Sequence, residues 1–215
     1  MSDRKPVNIM GVIAFPNPDK DQRVIRFIDS EYHTLFTIKD GESIVITRFD
    51  GEKMVFPCKY IDDCHVCIGN SAYHICEFAE MQERNGNTYV PSAPKISDEI
   101  GTYEIYQIPA IADVDYYFRS YAAAKGKLQN ADYQRSYAGM YAKENSLEDL
   151  WAKHNRDSRP FAHRMRSMSV SDIVVLTQGG KKTAYYADSI GFKEVPEFLA
   201  QQRVPKKHKE RGEAR

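Results

Sequence analysis

One block near the C-terminus constrains this chain more than any other part. It reads SLEDLWAKHN from Ser146, then a basic stretch, then MSVSDIVVL, a GGKK turn and TAYYADSIGFKEVPEFL ending at Leu199. Ser146 precedes an apolar-periodic run, and Asp149 stands three residues on. This is a capping-box pattern, close to Ser-x-x-Glu, which supplies partners for orphan amides at a helix start. Leu147, Leu150, Trp151 and His154 recur at one-face spacing and predict a helix of about ten residues, with Asn155 as its stop. So short a helix persists only when packed, and Trp151, the only Trp, is its expected anchor. Ile173–Leu176 is a continuous, β-branched apolar run, as a strand buried on both faces requires. Gly179-Gly180 supplies positive φ for a hairpin, and Thr183–Ala187 returns as the partner strand.

At 215 residues the chain has room for one or two domains. Thirty basic residues balance thirty acidic ones, so global charge announces neither nucleic acid nor a membrane surface. No apolar run is long enough for a transmembrane helix. The start, MSDRKPVNIMGVIAF, lacks the apolar core of a signal peptide. Four cysteines in an unsecreted chain are expected to stay reduced. A cytoplasmic protein is expected.

Residues 1–22, polar and holding three prolines, read as irregular. Arg23–Ile28, His33–Ile38, Ser43–Phe49 and Lys53–Ile61 read as strands, with Asp40-Gly41 and Asp50-Gly51 as turns. After His65–Ile68 and a Gly69-Asn70 turn, Ser71 is the expected cap of a helix over Ala72–Arg84, ended by Gly86. Ile75, Phe78, Ala79 and Gln82 form its packing face. Thr88–Ser97 carries two prolines and little periodicity and reads as the linker stretch. The expected organisation is a module over 1–90, a linker at 91–100, a second module over 101–200 and a disordered basic tail at 201–215. In the second module Tyr103–Ile108 reads as a strand and Val114–Leu128 as a helix interrupted at Gly126. The fold class is α+β: a small antiparallel sheet with a covering helix, then a second small α+β module.

The motifs SLEDLW, SMSVSDIVVL and AYYADSIGFKEVPEFL resemble the YodL-like domain family. Tyr103-Glu-Ile-Tyr-Gln, Asp115-Tyr-Tyr-Phe-Arg and Tyr133 through Tyr141 fit as well, so the likeness spans about residues 101–199. Where that family often reads Gly-His-Ser-Leu, this chain has Met165-Arg166-Ser167-Met168. Over residues 23–90, CKYIDDCHVCIGNSAYHICEFAEMQERNG resembles a module of large polyvalent proteins, which conjugative elements and phages carry. The resemblance implies a mobile-element context and no catalytic residues.

Four constellations are candidates for chemistry. Cys64-x2-Cys67 with His74 and Cys76 has zinc-ligand types. Positions two apart on a helix diverge, though, and buried reduced cysteines commonly serve as small hydrophobes. No metal and no cofactor are expected. Ser167, Ser169, Ser171, Asp172, Asp188 and Ser189 with nearby His163 contain the types of a hydrolase triad, but no Gly-x-Ser-x-Gly elbow exists. Ser-Asp before a strand reads instead as turn chemistry, and no catalytic residue is assigned.

Eight of 14 tyrosines fall between 103 and 141. Tyr116, Tyr117, Tyr133, Tyr137 and Tyr141 are candidates for a partner surface. Arg156, Arg159, Arg164 and Arg166, with Lys206 and Lys207 of the tail, are candidates for nucleic-acid contact. The expected function is non-enzymatic: an accessory protein of a mobile element that binds a host or element-encoded protein, with counter-defence as a role. The alternative is a weak electrostatic binder of single-stranded nucleic acid. A further alternative is an enzyme with a cryptic site.

Overall fold

The computed structural model describes residues 7–9, 12–14, 23–93 and 100–202. Strand outweighs helix, and the described residues form a small α+β fold built on two five-stranded antiparallel sheets and two two-stranded ribbons.

In the N-terminal half, β1 (Val7–Ile9) and β2 (Val12–Ala14) pair as an antiparallel ribbon. Residues 7–9 and 12–14, expected as irregular, are therefore strands. β3 (Val24–Ile28) and β4 (Thr34–Lys39) form a hairpin with an irregularity after Phe27. A five-stranded sheet follows from β5 (Ser43–Thr47), β6 (Lys53–Tyr60), β7 (His65–Ile68), β8 (Ser71–His74) and β9 (Thr88–Pro91), in the order β8-β7-β6-β5-β9.

Two sequence expectations are corrected here. Ser71 does not cap a helix, because Ser71–His74 continues the ladder, pairing Ser71 with Ile68 and His74 with His65. The helix α1 spans Ile75–Arg84, and the His74 ring caps it by accepting from Cys76 N–H at 3.3 Å. Nor does a linker begin at Thr88, since Thr88–Pro91 pairs with β5. Pro91 ends this edge strand, where a missing N–H is tolerated.

The C-terminal half holds β10 (Gly101–Gln107), α2 (Tyr121–Ala124), β11 (Gln134–Tyr141), α3 (Leu147–Lys153), β12 (Ile173–Gln178), β13 (Lys181–Ala187), β14 (Phe192–Glu194) and α4 (Pro196–Gln202). Its sheet runs β11-β10-β12-β13-β14. Of residues 114–128, expected as a helix, only α2 at Tyr121–Ala124 is helical, and the rest is turns and irregular chain. Phe118 there takes φ +57°, and tertiary bonds replace helical ones: Tyr116 OH donates to Asp132 at 2.6 Å and Tyr186 OH to the Arg119 carbonyl at 2.8 Å. Gly179 and Gly180 do take positive φ, 54° and 76°, at the β12–β13 turn.

Alternate residues of β12 feed two cores. Ile173 and Val175 join Tyr186, Val195 and Phe198 on one face. Val174 and Leu176 join Tyr103, Ile105, Tyr137 and Leu150 on the other. The capping box of α3 forms: Ser146 Oγ accepts from Asp149 N–H at 3.1 Å, and Asp149 accepts from Ser146 N–H at 2.8 Å. Its anchor, however, is Leu150, fully buried, whereas Trp151 is half-buried with its ring edge-on to Phe192 at 6.3 Å.

The halves are packed together. Met140 and Ala142 of the C-terminal half lie inside the N-terminal core beside Phe27, Phe78 and Tyr89. Tyr137 OH donates to the Glu83 carbonyl at 3.1 Å, and the Lys153 ammonium meets the Glu83 carboxylate at 2.6 Å. Arg135 donates to the Phe49 carbonyl. No helix among the described residues is long and apolar enough to cross a membrane.

Candidate interaction site at the Ser169–Asp172 turn

The chain enters β12 through a turn in which Asp172 is wholly buried and makes several polar contacts. It accepts from Ser169 N–H at 2.9 Å and from Gln107 Nε2 at 2.8 Å, and it pairs with both terminal nitrogens of Arg166. Burial pushes its carboxyl pKa up, while Arg166 and Gln107 pull against that shift. Ser171, also buried, takes φ +81°. Its hydroxyl accepts from Phe118 N–H at 3.1 Å and its carbonyl from Tyr133 OH at 3.0 Å. Two non-glycine residues in the left-handed region, Phe118 and Ser171, are therefore bonded to each other. Such conformations persist only where surroundings over-determine them.

The turn holds a platform at the surface. The Tyr117 and Phe118 rings stack at 3.9 Å and 21°. The Arg166 guanidinium lies 5.2 Å from the Phe118 centroid and 5.8 Å from that of Tyr117, within cation–π range. Phe118 remains 51% exposed despite its size. A large aromatic and an arginine are thus presented with fixed geometry, the side-chain types that anchor protein interfaces.

The other sequence candidates are distributed differently. Tyr116, Tyr137 and Tyr141 are buried and form no surface, because their rings fill the cores and their hydroxyls bond inward, Tyr141 to the Asn145 carbonyl at 2.6 Å. Tyr133 is half-buried and spent on Ser171. Of the five, Tyr117 alone belongs to the platform.

The arginines divide too. Arg166 is committed to Asp172, and Arg156 pairs with Glu31 at 3.3 Å. Arg156 and Arg159 line a groove of about 620 Å³ that Glu31, Glu80 and Glu83 share. Arg164 is exposed over the Phe161 ring. Lys206 and Lys207 lie outside the described residues.

Cys64, Cys67, His74 and Cys76 do not converge. Cys64 is exposed, the Cys67 thiol is directed to the Gly69 carbonyl at 3.5 Å, and His74 caps α1. Among the described residues no group of three or more His, Cys, Asp or Glu side chains is placed to hold a metal ion. His163 packs on Phe161, with ring centroids 5.0 Å apart, while the Ser171 hydroxyl is bonded to Phe118 N–H and the Asp172 carboxylate to Ser169 N–H.

Gln107, Phe118 and buried His154 escaped the sequence reading as parts of polar networks. His154 has no exposure, and its Nε2 meets the Tyr103 hydroxyl at 2.8 Å. Burial lowers its pKa to about 3, helped by Lys153 and Arg159. The Tyr-Tyr-Phe-Arg run was the available signal for Phe118; nothing local marks Gln107, whose partner is 65 residues away.

Neither a curated protein nor a solved structure matches the chain. Residues 102–198, which contain the turn, the platform and the sheet beneath them, match the YodL-like domain family.

Proposed function

We propose that the protein is a non-catalytic accessory protein that captures a protein partner through the Tyr117–Phe118–Arg166 platform. One observation carries this reading: a half-exposed aromatic is stacked, capped by a guanidinium and pinned through a buried carboxylate before any partner arrives. Anchors that are already ordered lose little entropy on binding. The partner is a protein of the host cell or of a mobile element, met in the cytoplasm. The likeness of residues 23–90 to a module of large polyvalent proteins supports that setting, and counter-defence is the role that follows from it. The acidic groups beside Arg156 and Arg159 work against a phosphate track, which leaves single-stranded nucleic acid the weaker reading.

A photo-crosslinking residue at position 118, compared with one at the still more exposed Tyr32 of the other half, tests this in native host cells. The expected result is a discrete protein adduct from position 118 alone. No adduct from 118, or the same adducts from both positions, contradicts it.

A further inference from the structure

A second site lies away from the platform, in the cleft between the N-terminal sheet and α1. Its volume is about 780 Å³, inside the range of small-molecule sites, about 300–1,000 Å³. Ile46, Met54, Phe56 and Ile68 form its floor. Register explains why: Ile46 is opposite Met54 and Ile44 opposite Phe56, so these side chains share the inner face of the sheet. On that face Ile44 and Cys58 are fully buried, but Met54 and Phe56 are only half-buried. α1 has ten residues, about 15 Å of length, and its cover stops short of them.

The far wall is supplied by both halves. The Phe49 and Phe161 rings meet with centroids at 4.9 Å. Gly86, in the left-handed region at φ +63°, turns the chain beside both rings, and a Cβ there would make only ordinary contacts, 3.4 Å from Phe49 and 3.7 Å from Phe161. Phe49 N–H is also tied to the Asn87 side chain at 3.2 Å. The wall is therefore preformed.

Charge at the mouth narrows the ligand class. Arg48 is committed to Asp50 and Glu52, at 3.5 and 2.7 Å. Arg164, which also lines the cleft, makes no ion pair among the described residues and rests 5.8 Å from the Phe161 centroid. An apolar, partly aromatic floor is thus paired with one uncommitted cation. We propose that this cleft binds a small organic monoanion with a flat apolar body, the body lying on Met54 and Phe56 and the anionic group meeting Arg164. The ligand would touch both halves, because the floor belongs to one and Arg164 to the other.

The test uses the full chain and two probes, 8-anilinonaphthalene-1-sulfonate and its uncharged parent 1-anilinonaphthalene. The expected result is saturable one-to-one binding of the sulfonate, with the neutral parent about tenfold weaker, as one charge-assisted hydrogen bond implies. Arg164→Gln should weaken the sulfonate about tenfold and leave the neutral parent unchanged. Met54→Trp, which fills the floor, should weaken both. Ile190→Ser, at a position 87% exposed elsewhere on the surface, should change neither. Should Met54→Trp not fold, amide shifts of the unmutated chain serve instead, and the sulfonate should perturb Phe56, Ile68 and Phe161. Non-saturable binding, equal affinities for both probes, insensitivity to Arg164→Gln, loss of binding in Ile190→Ser, or shifts clustered away from the cleft would each overturn the proposal.

Discussion

The two five-stranded sheets differ in what covers them. The C-terminal sheet is covered on both faces mainly by its own half, with Ile173 and Val175 feeding one core and Val174 and Leu176 the other, and Phe49 of the N-terminal half packed only at the edge of the second. The N-terminal sheet buries one face, while Lys53, Val55 and Lys59 of β6 stay exposed on the other. Even its buried face is closed partly by Met140 and Ala142, which arrive from the other half. The difference bears on both sites. The platform at Phe118 stands on a sheet with a buried core on each face, so it can be rigid. The cleft opens where cover over the other sheet runs out, so it can admit a ligand.

The sharpest way to break this contrast is to unpin the covered sheet. Asp172→Ala should destabilise the protein by about 3–5 kcal/mol, because it strands a partly buried guanidinium and releases the turn. Chemical denaturation measures it. A loss below about 1 kcal/mol, the scale of a surface ion pair, would make the network a surface feature. Next, Leu150→Ala should cost about 2–5 kcal/mol, as for a fully buried leucine, and Trp151→Ala should cost less. The reverse order would mean that Trp151, not Leu150, anchors α3.

The pH dependence follows from His154. Its folded pKa is about 3 against an ordinary 6.5. Above pH 6.5 it is neutral in both states and no penalty exists. Below 6.5 the unfolded chain gains a proton that the folded chain refuses, so stability falls until about pH 3. The loss should reach about 2 kcal/mol by pH 5, and His154→Gln should flatten this dependence. Urea midpoints at pH 7 and 5, for both forms, check it. A stability that is unchanged or rises on acidification contradicts a buried neutral imidazole. The smallest effect is at the cap: Ser146→Ala should cost about 1 kcal/mol, read as a lowered denaturation midpoint.

What could be read in the sequence follows from the range of the forces involved. The capping box at Ser146, the paired glycines at 179 and 180 and the buried run Ile173–Leu176 are local patterns, and each has its counterpart in the structure. Strand β11 went unread because SYAGMY is buried throughout and shows no alternation. Its Gly139 is required by the Tyr103 and Tyr137 rings, which a Cβ would meet at 3.0 and 2.6 Å. Strand β8 was mistaken for helix because its apolar spacing runs smoothly into α1. The contacts that build the platform, Gln107 to Asp172 and Phe118 to Ser171, join residues 65 and 53 apart. No local pattern carries them.

The two halves are asymmetric: the C-terminal half covers its sheet mainly with its own residues, and the N-terminal half needs Met140 and Ala142 to close its core. Amide correlation spectra of fragments 1–93 and 98–205, overlaid on the full chain, test this asymmetry most directly. Dispersed peaks are expected from 98–205, superposing on the full-chain spectrum for residues of β10, β12 and β13. Collapsed, poorly dispersed peaks are expected from 1–93. A well-dispersed 1–93 with full-chain shifts, or a collapsed 98–205, would contradict it.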